Sequence, residues 1–185
     1  LFCYIRCSLD SSYKSCGQSY ISLNNKHVSG IMIECNGQNS CYESSVEIID
    51  SDVQNVSIIC SQLGSCNAID MSFENTLIDD VDIYCELSGS CESLTINIQG
   101  SWISNLNIHC VTSEACTALQ VNSAKSNTKI SVVCNEENSC NNTIFNLNAG
   151  TFINIAMYSF SHNVHIIHPN ITNINLTCDN PRNKR

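Results

Sequence analysis

Fourteen cysteines carry most of the reactive chemistry of this 185-residue chain, and ten of them keep step. Cys35, Cys60, Cys85, Cys110 and Cys134 recur at gaps of 25, 25, 25 and 24, each followed by a partner at Cys41, Cys66, Cys91, Cys116 and Cys140. The CxxC pairs of zinc and redox sites are absent, so this C-x5-C spacing points to a disulfide framework in an oxidising, extracellular compartment. Pairing within each unit gives Cys35–Cys41, Cys60–Cys66, Cys85–Cys91, Cys110–Cys116 and Cys134–Cys140, with Cys7–Cys16 as a longer version. Each such bond closes a loop of about seven residues, worth roughly 2 to 3 kcal/mol in chain entropy. A ladder joining successive units is the rival, because residues stacked about 4.8 Å apart also lie within disulfide reach. The joint recurrence of both cysteines favours the first pairing.

Two further groups have ligand-like spacing. His162, His165 and His168 form H-x2-H-x2-H, which on an irregular loop would converge on Zn2+ or Cu2+, but on a strand sends neighbours to opposite faces. Asp50, Asp52, Asp79, Asp80 and Asp82 come from two neighbouring units and could bind Ca2+. Arginine, however, is confined to Arg6, Arg182 and Arg185, which leaves no general base with a cationic partner, and solvated acidic surface is the simpler reading. No Ser-His-Asp order or Gly-rich phosphate loop stands out. The expectation is a protein that is not an enzyme, with no catalytic residue, no cofactor and no firm metal site.

The elements that position these residues are strands. Four before each first cysteine stand Ile31, Val56, Val81, Leu106 and Ile130, and two before it stand Ile33, Ile58, Ile83, Ile108 and Val132. Mostly polar residues separate them, which marks a strand with one buried face. Val28, Val53, Ile78 and Ile103 form a further inward column. After the second cysteine, Val46 and Ile48, then Ile69, Met71 and Phe73, then Leu94, Ile96 and Ile98 mark a second strand. Units of about 25 residues cannot bury such faces alone, but stacked in parallel they enclose a continuous core. The expected fold is all-β: a single β-solenoid domain over residues 1–185, a parallel β-helix of roughly seven coils, right-handed because parallel crossovers almost always take that hand.

The register extends to both ends. Cys3, Ile5 and Cys7 take inward positions, followed by Ile21 and Leu23. Toward the C-terminus Ile155, Met157 and Ser159 repeat the strand with serine in place of the first cysteine, and Ile174, Leu176 and Cys178 begin another coil. Two outer columns read as Asn-rich. Glu47, Ser72, Asn97, Asn122 and Asn146 suggest a polar ladder, while Asn55, Asn105, Asn154 and Asn173 suggest a stacked turn in which Asn tolerates special backbone angles.

Through the turns Gly64-Ser65-Cys66, Gly89-Ser90-Cys91 and Asn138-Ser139-Cys140, the chain resembles the cysteine-laddered members of the right-handed parallel β-helix superfamily, whose broad fold is that of the pectate lyases. The resemblance covers nearly the whole chain and implies a fold, with almost no implication for activity. Some cysteine-stapled solenoids bind ice through a flat threonine column. Here the corresponding outward column is Glu34, Ile59, Tyr84, His109 and Val133, without that regularity.

Partners follow from charge and ends. A net charge of −9 disfavours nucleic acid and anionic lipid, and no apolar run approaches eighteen residues, so membrane insertion is not expected. With no basic-plus-apolar leader before Cys3, the chain reads as a mature secreted form. Asn55, Asn141, Asn170 and Asn175 open N-x-(Ser/Thr) sequons, the acceptor sites of N-linked glycans. Cys3 and Cys178, left over from the six pairs, would lie about 30 Å apart across seven coil rises and so could meet only between molecules. The plainer alternative is a buried thiol at one end and a partner outside this chain at the other. Apolar strand edges without a helical cap favour end-to-end association. The functional expectation is therefore a secreted structural subunit of a fibre, appendage or coat, a head-to-tail homopolymer. A surface adhesion or glycan-binding module is the alternative, and a polysaccharide-active enzyme comes third.

Overall fold

The computed structural model describes residues 1–7, 16–124, 128–147, 152–157, 163–167 and 174–178. Its strands, in chain order, are β1 (Phe2–Cys7), β2 (Tyr20–Asn24), β3 (His27–Cys35), β4 (Ser45–Ile49), β5 (Asp52–Cys60), β6 (Asp70–Glu74), β7 (Leu77–Cys85) and β8 (Thr95–Gln99). They continue as β9 (Trp102–Cys110), β10 (Gln120–Ala124), β11 (Lys129–Cys134), β12 (Thr143–Leu147), β13 (Phe152–Met157), β14 (Val164–Ile167) and β15 (Ile174–Cys178). Odd-numbered and even-numbered strands go to two different sheets. One sheet runs β1-β3-β5-β7-β9-β11-β13-β15 and the other β14-β12-β10-β8-β6-β4-β2, every pair parallel. The molecule is a parallel β-solenoid with coils of about 25 residues and disulfides stapling its turns.

Sequence period becomes structural register. Cys7, Cys35, Cys60, Cys85, Cys110 and Cys134 pair in one column, as do Ile33, Ile58, Ile83, Ile108 and Val132. In the long strands the ladder leaves out Ser29, Gln54, Asp79 and Ser104, so Val28 and Ile31, three apart, both face inward; the strand bends there. The core fills the space between the sheets, with Met71, Phe73, Val81, Ile96, Leu106, Val121 and Phe145 all fully buried. Each such side chain contributes roughly 1.5 to 3 kcal/mol by leaving water.

Six disulfides join Cys7–Cys16, Cys35–Cys41, Cys60–Cys66, Cys85–Cys91, Cys110–Cys116 and Cys134–Cys140, each within one turn. The turns stack as the strands do: Cys41 N donates to Ser65 O at 2.8 Å, Cys66 N to Ser90 O at 2.7 Å and Cys91 N to Ala115 O at 2.8 Å. Their tight curvature needs two left-handed residues per turn. One column is Asn39, Gly64, Gly89, Glu114 and Asn138, and the other is Gln18, Glu43, Ala68, Ser93, Ala118 and Asn142. This explains the Gly or Asn before the Ser-Cys pair.

Two expectations are corrected. Met157, not Ser159, stands at the cysteine position, because β13 pairs with β11 through Cys134↔Met157, and Cys178 follows Met157 in the same column; Ser159 lies outside the described residues. The expected Asn turn dissolves as well. Asn55 and Asn105 do share a column with Gly30 and Asp80, but within strands, while Asn154 pairs with Ser131 and Asn173 lies outside the described residues. The left-handed corner is instead Asn25, Asp50, Asn75 and Gly100, at the short turn between the sheets. Behind it runs a buried hydroxyl column, in which Ser51 Oγ accepts from Lys26 N at 3.2 Å and Ser101 Oγ from Thr76 N at 3.1 Å.

Candidate functional site

The first coil differs from every interior coil in how it meets solvent. Strands β1 and β2 each have a neighbour on one side only among the described residues. Ile5, Ile21 and Leu23 are therefore only partly buried, whereas their register partners Ile33, Val46 and Ile48 are at most 2% exposed. Phe2, Tyr4 and Tyr20 are 57, 50 and 64% exposed. Cys3 is a half-buried free thiol paired in register with Ile31.

Side chains hold this coil to the next where burial does not. Tyr4 Oη donates to Glu34 Oε2 at 2.6 Å, and the same carboxylate accepts from Asn36 Nδ2 at 3.1 Å and faces Arg6 Nε at 3.6 Å. The Tyr20 hydroxyl donates to Glu47 on β4. Hydrogen bonding to a carboxylate stabilises the protonated phenol, so Tyr4 (by Glu34), Tyr20 (by Glu47) and Tyr42 (by Glu43) are all pushed above the usual tyrosine value. The Leu1 carbonyl accepts from Ser29 N at 2.8 Å and Ser29 Oγ at 3.0 Å.

On the outer faces, amides link the coils. Asn146 Nδ2 donates to Asn122 Oδ1 at 2.7 Å, Asn122 Nδ2 to Asn97 Oδ1 at 2.8 Å, and Asn97 Nδ2 to Asp70 Oδ1 at 2.9 Å. On the other sheet Asn105 donates to Asp80 at 2.8 Å and Asn107 to Asp82 at 2.9 Å. Tyr84 and His109 stack with centroids 4.8 Å apart.

This geometry separates the acidic candidates. Asp50 sits at the left-handed corner, Asp52 is bonded to His27 Nδ1 at 3.2 Å, Asp79 is exposed at the bend, and Asp80 and Asp82 already accept from amides one coil on. Among the described residues no three His, Cys, Asp or Glu side chains gather as a metal site. His165 is exposed on β14, while His162 and His168 lie outside the described residues. Of the sequons, Asn55 on β5 and Asn175 on β15 are exposed, Asn141 is half-buried in a stapled turn and Asn170 is outside the described residues.

One polar concavity of about 240 Å³ opens beside the stapled turns, between Glu92, Glu114, Thr117, Asn138 and Asn141, where Gly89 leaves room. It is smaller than the roughly 300 Å³ or more usual for ligand pockets. No helix among the described residues is long and apolar enough to cross a membrane. The signal that sequence reading missed was the short Asn/Asp/Gly corner, recurring at 25, 50, 75 and 100 in phase with the cysteines. Comparison with protein families, with curated proteins and with solved structures returns no match.

Proposed function

We propose that the protein is a secreted structural subunit that assembles end to end into an extracellular fibre, appendage or coat, each added copy continuing the solenoid of the last. The observation that carries this reading is the repeat itself, in which each described coil presents the same parallel strand edges and the same apolar columns to the next. Burying such an edge against a matching coil satisfies backbone donors and acceptors and completes the core. The regular spacing through strands and turns suits the addition of identical units. Cys3 and Cys178 stand on β1 and β15, at opposite edges of one sheet, but in a continued register Cys178 would face Cys7 of the next copy and lie four residues, about 13 Å, from Cys3, so the joint relies on strand pairing and apolar burial and not on a disulfide. The disulfide framework fits an oxidising compartment. A lateral adhesion surface has less support, since Tyr84 stacks on His109 and the concavity beside the stapled turns is small, polar and without an aromatic wall.

The test is electron microscopy of the purified protein with and without reductant. Filaments one solenoid wide are expected. Short, monodisperse particles under both conditions would overturn the proposal, as would filaments unaffected by Ile21→Lys and Leu23→Lys together.

A further inference from the structure

Five outward asparagines of the two sheets, Asn97, Asn105, Asn107, Asn122 and Asn146, donate to the coil before. Asn55 is different. It shares the column of Asn105, is exposed, and has no side-chain hydrogen bond among the described residues, while the carboxylate beside it, Asp80, accepts from Asn105. The other neighbour in its column is Gly30, which has no side chain to cover it. Beyond lies Phe2, also paired with Gly30, whose ring leans over the glycine so closely that an added Cβ would stand 2.8 Å from Cε2. Phe2 thus stands two strands from Asn55 in the same column, with its exposed ring reaching over the glycine between them toward the sequon. Ser57, the hydroxyl member of that sequon, lies two residues on along the same outer face.

We propose that Asn55 carries an N-linked glycan whose first N-acetylhexosamine packs its apolar face on the Phe2 ring across Gly30. The inference rests on passage through a secretory pathway. There the Nδ2 of Asn55 attacks the anomeric carbon of a lipid-linked oligosaccharide diphosphate. The N–C1 bond forms, the C1–O bond to the diphosphate breaks, the amide loses one proton to a base, and the lipid diphosphate leaves. The sugar reaches the ring because Gly30 places no side chain between them and lets the ring lean toward Asn55, and it removes from water an aromatic surface that is otherwise more than half exposed. Phe2 thereby gains a partner that the protein itself does not supply.

The test expresses the whole chain through a eukaryotic secretory pathway and maps the sequons by peptide mass spectrometry after enzymatic deglycosylation in heavy-oxygen water. Asn55 is expected to be occupied. Deglycosylation should lower the melting temperature of the wild type by about 2 °C more than that of Ser57→Ala, which keeps the asparagine but loses the sequon. Phe2→Ala should behave like Ser57→Ala, and so should Gly30→Ala, whose new methyl displaces the ring. An unmodified Asn55 beside an occupied Asn141 or Asn175 overturns this proposal while leaving secretion intact. Four empty sequons overturn both. The wild-type difference retained in full by Phe2→Ala refutes the sugar–ring contact.

Discussion

The first coil and the third are built from the same pattern, yet they are held in different ways. In the third, Val53, Val56, Ile58, Met71 and Phe73 lie between coils on both sides and are at most 1% exposed. In the first, Cys3, Ile5, Ile21 and Leu23 occupy equivalent columns half-covered, and Tyr4, Tyr20 and Arg6 reach to Glu34 and Glu47 to make up part of the difference. Stability in this fold therefore belongs to the seams between coils more than to any coil alone, and position along the axis decides how much a residue contributes.

The sharpest way to break that contrast is to truncate one large apolar side chain at each place. Phe73→Ala should destabilise by about 3 to 5 kcal/mol in chemical denaturation. Ile21→Ala at the first coil should cost well under half of that, and equal losses would refute the comparison. Next in size, Cys60→Ala with Cys66→Ala should cost about 2 kcal/mol by freeing the unfolded chain, while the strand register, followed by amide exchange, persists. Gly100→Ala forces a side chain into a left-handed conformation at φ 63°, with Asn75 Oδ1 only 2.5 Å from the new Cβ. A loss of about 1 to 2 kcal/mol is expected. Ser72→Ala, on the outer face of β6 in ordinary extended backbone, should stay within about 0.5 kcal/mol of the wild type.

The smallest effect is a titration. Tyr4, Tyr20 and Tyr42 are held above the ordinary tyrosine value by their hydrogen bonds to Glu34, Glu47 and Glu43. A value raised by folding means that the tie is fully present below the unfolded phenol's value, about pH 10, and is lost as the pH climbs through the elevated folded values. Ultraviolet absorbance should show these three phenols ionising last, and Glu34→Gln should bring Tyr4 back toward the others. Early ionisation of Tyr4 in the wild type would remove its bond to Glu34 from the account.

The period, the strands and the inward columns were legible because every coil repeats them against the same neighbours. The place of β13 in that register was not, for a physical reason. A slip of two residues leaves each side chain of a strand on its own face, so Met157 and Ser159 satisfy the inward pattern equally well, and only the pairing with Cys134 decides. The corner at Asn25, Asp50, Asn75 and Gly100 was hidden by the abundance of asparagine elsewhere, since an Asn that extends a ladder and an Asn that turns the chain look alike in one dimension. The acidic residues come from neighbouring coils, but Asp50 sits at a corner while Asp80 and Asp82 face out from a sheet and accept from amides, in keeping with their reading as solvated acidic surface.

The cystines each lie inside a single turn. They close links without riveting one link to the next. Drawn out along its axis, such a molecule would shed its loops singly, each lengthening by its own stretch of chain less the short segment its sulfur bond retains, so that the covalent bonds limit how far every link unravels and leave the order of parting to the weaker forces between them.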